Sequence, residues 1–143
     1  SVASVETDQV EAAVDAYVDA FNSQDFERCL RYYRLPATWI SSRGVIVIET
    51  REAFIAAMSR STRDLRARGL HRTEHLRRST RILADNVALT SQIGVRYRAD
   101  GSELERAAGT MALSRDKDGW RIVTVLIHGE GGAVQLEALT GRI

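Results

Sequence analysis

The sequence predicts an α+β domain whose helices pack on one face of a curved antiparallel sheet. Three observations predict it. Apolar residues recur at three- and four-residue steps through the first half of the chain. The second half consists of long β-rich runs separated by short turn segments, two of which carry Asp-Gly. No repeat, low-complexity tract or linker divides the 143 residues, so 1–143 reads as one domain, and 44% hydrophobic residues is enough for a core.

Thr7 is the expected N-cap of the first helix, which carries Val10, Val14, Tyr17, Val18 and Phe21 on one face. Residues 22–25 break it. Ser23 or Asp25 caps a short second helix bearing Phe26, Cys29, Leu30 and Tyr33, and Pro36 ends it, because a proline ring disfavours helix in the preceding residue. Residues 38–42 and 45–49 are short strands around an Arg43-Gly44 hairpin turn. Thr50 opens a third helix to about residue 68, with Phe54, Met58 and Leu65 inward and Gly69 as its stop. Strands follow at 71–83, 87–98, 104–114 and 120–128.

Composition narrows the function classes. Twenty basic residues stand against 19 acidic ones, a net charge of +1, which lacks the field expected of a nucleic-acid binder. All the basic residues but Lys117 are arginine, and acidic neighbours (Asp64, Glu74, Glu103, Glu105) make those of the third helix and third strand a salt-bridged surface. No apolar run approaches the roughly 18 residues needed to span a bilayer. The first residues have neither a basic nor an apolar leader region, and the lone cysteine, Cys29, fits a reducing compartment; a cytoplasmic protein is expected. No His, Asp, Glu or Cys cluster has metal-ligand spacing, and no dinucleotide, phosphate-loop or serine-elbow motif is present, so neither a metal nor a cofactor is expected. Residues 122–127 read Ile-Val-Thr-Val-Leu-Ile, apolar on both parities. Both faces of that strand are expected to be covered, one by helices and the other by a second copy of the chain, in a homodimer through the outer sheet face.

Tyr17-Val-Asp-Ala-Phe-Asn22-Ser-Gln-Asp25-Phe, then Pro36-Ala-Thr38-Trp, and the closing Asp118-Gly119-Trp120-Arg121-Ile122 hairpin resemble the nuclear-transport-factor-2-like (NTF2-like) superfamily, which includes ketosteroid isomerase, scytalone dehydratase and polyketide cyclases. The resemblance spans about residues 10–129 and implies a cone-shaped curved sheet against three helices of the N-terminal half. Tyr17 matches the oxyanion tyrosine of ketosteroid isomerase. The general-base position falls on Ser41 and the second oxyanion position on Met111, neither of which can serve, so the chain is not expected to be a working ketosteroid isomerase.

The same resemblance implies that Trp39, Ser41, Phe54, Met58, Ser91, Ile93, Val95, Met111, Leu126 and His128 face the interior of the cone beside Tyr17. Apolar walls with few polar groups are the usual make-up of a small-molecule pocket. The expected function is therefore binding of a small hydrophobic molecule. The alternative is a cofactor-independent cyclase, dehydratase or isomerase in which Tyr17 polarises a carbonyl and His128 moves the proton. His75 alternates away from the interior unless a bulge turns it.

Overall fold

The computed structural model describes residues 2–132, with side chains from residue 5 onward. In chain order it runs α1 (Val2–Asn22), α2 (Phe26–Leu30), β1 (Tyr33–Ser41), β2 (Gly44–Ile48), α3 (Arg51–Ala67), β3 (Arg72–Ala84), β4 (Val87–Tyr97), β5 (Glu103–Asp116), β6 (Gly119–His128) and a 3-10 turn (Glu130–Gly132). The six strands form one curved sheet in the order β2-β1-β6-β5-β4-β3. Strands joined directly by a turn pair antiparallel, as the turns dictate, but β1 and β6 pair in parallel, so the sheet is mixed and not wholly antiparallel. No turn joins those two strands, so turn chemistry carries no signal for their pairing.

Local chemistry accounts for most boundaries. Asp25 caps α2 by accepting the Arg28 N–H at 3.1 Å, and Thr50 caps α3 by accepting the Ala53 N–H at 3.1 Å. Gly101 and Gly119 take positive φ (87° and 104°) at the β4–β5 and β5–β6 turns, where a side chain would strain the backbone. Two expectations fail. Thr7 caps nothing, because the backbone is already helical from Val2. Pro36 does not end a helix: α2 stops at Leu30 and Tyr33 already lies in β1. The proline is tolerated inside the strand because the β1–β6 register shifts between Tyr33 and Thr38 and the β1–β2 ladder begins only at Ala37.

Two bulges set which side chains face the helices. In β6, Ile122 pairs with Leu113 and Thr124 with Ala112, leaving Val123 unpaired. Ile122 and Val125 therefore share the helix-facing side, against simple alternation. In β3, His75 pairs with Gly94 and Arg77 with Ile93, leaving Leu76 as the extra residue. The core lies between the helices and this concave side: Val10 and Val14 of α1, Phe54 and Met58 of α3, and Tyr33, Ala88, Met111, Leu113, Ile122 and Val125 of the sheet.

Candidate functional site

Alternation from the core positions places each expected site residue on a face. Met111 and Val125 are partners in the core, and Trp39 pairs with Val125, so Trp39 joins them on the concave side with Phe54, Met58 and Tyr17. Ser41 shares the parity of Trp39 but ends its strand, where its Oγ accepts the Arg43 N–H at 3.1 Å and closes the β1–β2 turn. The other expected lining residues are on the opposite face. Thr90 is the partner of Met111, which turns Thr90, Gln92 and Gly94 toward the helices and Ser91, Ile93 and Val95 away from them. The bulge at Val123 does the same to Leu126 and His128, which alternation from Ile122 would have turned inward.

On the concave side, Tyr17 packs edge-on against Tyr33 (ring centroids 5.4 Å apart), Tyr33 against Phe54 (4.8 Å) and Phe54 against Trp39 (6.4 Å). The Tyr17 hydroxyl approaches Met58 Sδ at 4.0 Å. Burial, with the neighbouring Tyr33 and Cys29 adding to it, pushes the Tyr17 phenol well above its ordinary value of 10.0. Burial likewise pushes Tyr33 up to about 12, opposed by the polar groups of Tyr17 and Trp39. Among the described residues, Trp39 Nε1 and Gln92 Oε1 are buried with no partner at hydrogen-bonding geometry. Tyr17, Phe21 and Trp39 nonetheless keep accessible surface, while Phe54 and Met58 beneath them are closed off.

His128 takes part in a different construction. Its Nε2 meets Thr110 Oγ1 at 2.8 Å, Thr110 Oγ1 meets Ser91 Oγ at 2.9 Å, and its Nδ1 meets the Gly129 carbonyl at 2.9 Å. This chain of side chains lies on the outer face, so the sheet separates His128 from Tyr17. His75, released by the Leu76 bulge, turns to the helix side at the rim, with Nδ1 3.9 Å from Asp15 Oδ1. There it borders an open groove of about 410 Å³ between α1 and β3, alongside Asp15, Asp19 and Thr73. Asn22 ties the two walls of the groove together: its side-chain amide donates to the Thr73 carbonyl and accepts the Thr73 N–H, each at 2.8 Å.

Gln92 and Gly109, partners in the helix-facing row next to that of Thr90 and Met111, are concave positions that the sequence pattern does not single out. A signal for them exists. Partner numbers across the Asp100-Gly101 turn add to 201 from Val87 to Arg96, so an inward Met111 requires Thr90, Gln92 and Gly109 inward as well.

The family model described as NTF2-like protein (DUF6841) matches residues 6–130. The chain belongs to this NTF2-like family. No curated protein matches it. Among solved structures, an NTF2-like protein with a cystatin-like fold from Novosphingobium aromaticivorans is 18% identical, with a TM-score of 0.69 over 87% of this chain and 82% of that one. The Aln2 protein from a Streptomyces species is 16% identical, with a TM-score of 0.70 over 86% and 89%. A candidate dehydratase of the NTF2-like family from Streptomyces avermitilis is 15% identical, with a TM-score of 0.65 over 87% and 95%. At these identities the likeness is one of fold.

Proposed function

We propose that this NTF2-like domain binds a small, largely apolar molecule on the concave side of its sheet, between Tyr17, Trp39, Met58 and Met111. One observation carries the reading. Tyr17 is half-buried over Phe54 and Met58, which are closed off, and burial pushes its phenol well above the ordinary value. A half-buried tyrosine over a closed core supports the wall of a recess more than a filled interior. The Trp39 N–H, buried with the Tyr33 hydroxyl as its nearby polar group, is a donor that suits a ligand carrying a carbonyl or ether oxygen.

Catalysis is the less supported alternative. Its two expected groups, Tyr17 and His128, stand on opposite faces of the sheet. The titratable groups beside Met58 and Trp39 are phenols held protonated, which can polarise a carbonyl but cannot shuttle a proton near neutral pH. Binding therefore accounts for the site with fewer groups. The expected partner, a second copy of the chain on the outer sheet face, belongs to the same reading.

Flavone, a planar aromatic ketone, is a suitable first probe, followed by nuclear magnetic resonance of the two indole N–H signals. Saturable movement of the Trp39 signal, assigned with Trp39→Phe, while the Trp120 signal stays put, is the expected result. Movement confined to the amides of Thr110 and Leu126 would place the ligand on the opposite face and end the proposal.

A further inference from the structure

Next to the row that holds Met111 lies a second helix-facing row: Ile127 of β6, Gly109 of β5, Gln92 of β4 and Arg78 of β3. Its two ends differ in chemistry. Ile127 is 48% exposed. Arg78 is fixed to α1, reaching Asp15 Oδ1 at 2.6 Å and Glu11 Oε2 at 3.3 Å. Between them, Gly109 presents no side chain. Among the described residues, a Cβ built there would meet only the Leu126 carbonyl oxygen of the adjacent strand, at 3.4 Å, and nothing from the helices. Beside that hollow sits Gln92, whose Oε1 is buried and has no hydrogen-bond partner among the described residues. A buried amide oxygen left unmatched costs free energy unless something else reaches it. Arg78, its neighbour across the ladder, is a cation placed to do so but is taken by the two carboxylates of α1.

We infer that Gln92 is the specificity-determining polar group of the recess, and that the hollow above Gly109 receives a ligand hydroxyl that bonds the Gln92 amide. The inference rests on the reading of the concave side as a binding site and adds the substrate class: an aromatic or alicyclic molecule with a hydroxyl at one end. A hydroxyl suits this position because it both donates and accepts, and so matches the amide in either orientation. A wall built to hydrogen-bond a hydroxyl discriminates strongly against the analogue that lacks one, since the analogue leaves the amide unmatched.

The test compares flavone with 4′-hydroxyflavone by titration calorimetry on the wild-type chain, Gln92→Leu and Gly109→Val. Wild type is expected to prefer 4′-hydroxyflavone by about tenfold or more. Gln92→Leu is expected to erase that preference by bringing the two affinities together. Gly109→Val is expected to lose both compounds and keep its melting temperature, because its methyls enter open space and a β-branched residue suits a strand. Flavone binding with no hydroxyl preference in wild type, or a preference that survives Gln92→Leu, overturns the role of Gln92 and leaves the recess standing. Failure of wild type to bind either compound overturns the recess and this inference with it.

Discussion

Tyr17 and Tyr33 sit where a phenolate would have little water around it, and their protonation is linked to stability. With Tyr33 pushed up to about 12 from an ordinary 10.0, the folded chain keeps a proton that the unfolded chain releases. The stabilisation from this group is thus fully present below pH 10 and is lost as pH climbs from there toward 12, by roughly 2–3 kcal/mol in all. Denaturant unfolding of the wild-type chain is expected to weaken steeply over that window and that of Tyr33→Phe less so. Equal slopes for the two proteins would show that this phenol is not held protonated. The two tyrosines are not equally legible in the sequence. Tyr17 stands out through helical spacing and the Tyr-Asn-Asp stretch. Tyr33 reads as part of the short helix, because nothing in the residues around Pro36 announces that the strand has already begun.

Contact between α1 and the sheet rests on polar groups. Arg78 of β3 bonds Asp15 and lies against Glu11, Glu11 accepts the Thr80 hydroxyl at 2.7 Å, and Thr80 meets Thr90 at 2.8 Å, all on the helix-facing side. Arg78→Met would leave two carboxylates facing an apolar side chain. A loss of roughly 1.5–3 kcal/mol is expected, as for removing a charged hydrogen-bond partner from a half-buried site. Thermal unfolding would register it, and an unchanged midpoint would mean that solvent replaces the arginine at no cost. This polar contact also explains why the faces of β4 mislead a sequence reading. Its larger apolar residues, Leu89, Ile93 and Val95, point away from the helices, while Ala88, Thr90 and Gln92 point toward them. An apolar pattern reports burial, and here it does not distinguish burial against helices from burial on the other face. In β6 the difficulty has another source: a one-residue bulge at Val123 reverses parity, and bulges leave little trace in composition. Positions on helices and at turns, such as Met58, Phe54, Thr50 and Gly119, are legible because their spacing or dihedral demands are local. Strand faces depend on partners far along the chain.

At the level of the whole molecule, the outer face of the sheet presents a surface that a lone chain rarely leaves bare. Ile40, Val45, Val47 and Leu126 share that face where β2, β1 and β6 lie side by side, with exposures of 37%, 64%, 57% and 39%. They adjoin one another through the pairs Ile40–Val45 and Ile40–Leu126, with Thr38–Val47 next along the ladder, and among the described residues of these strands no charged side chain lies between them. No helix among the described residues is long and apolar enough to cross a membrane, so no such span accounts for the patch. A contiguous apolar surface of this kind marks an interaction site. The occupant proposed is a second copy of the chain. A patch without charge meets no like-charge repulsion when it faces its own copy across a two-fold axis, and Leu126 extends it onto β6. Light scattering at micromolar concentration is expected to return twice the 15.9 kDa of the chain. Leu126→Arg combined with Ile40→Arg should return the single-chain mass with an unchanged circular dichroism spectrum, since both side chains point away from the core. Because these residues lie across the sheet from Tyr17 and Gln92, flavone binding should survive the double substitution. A wild-type monomer would remove the dimer from the account and leave the concave recess untouched.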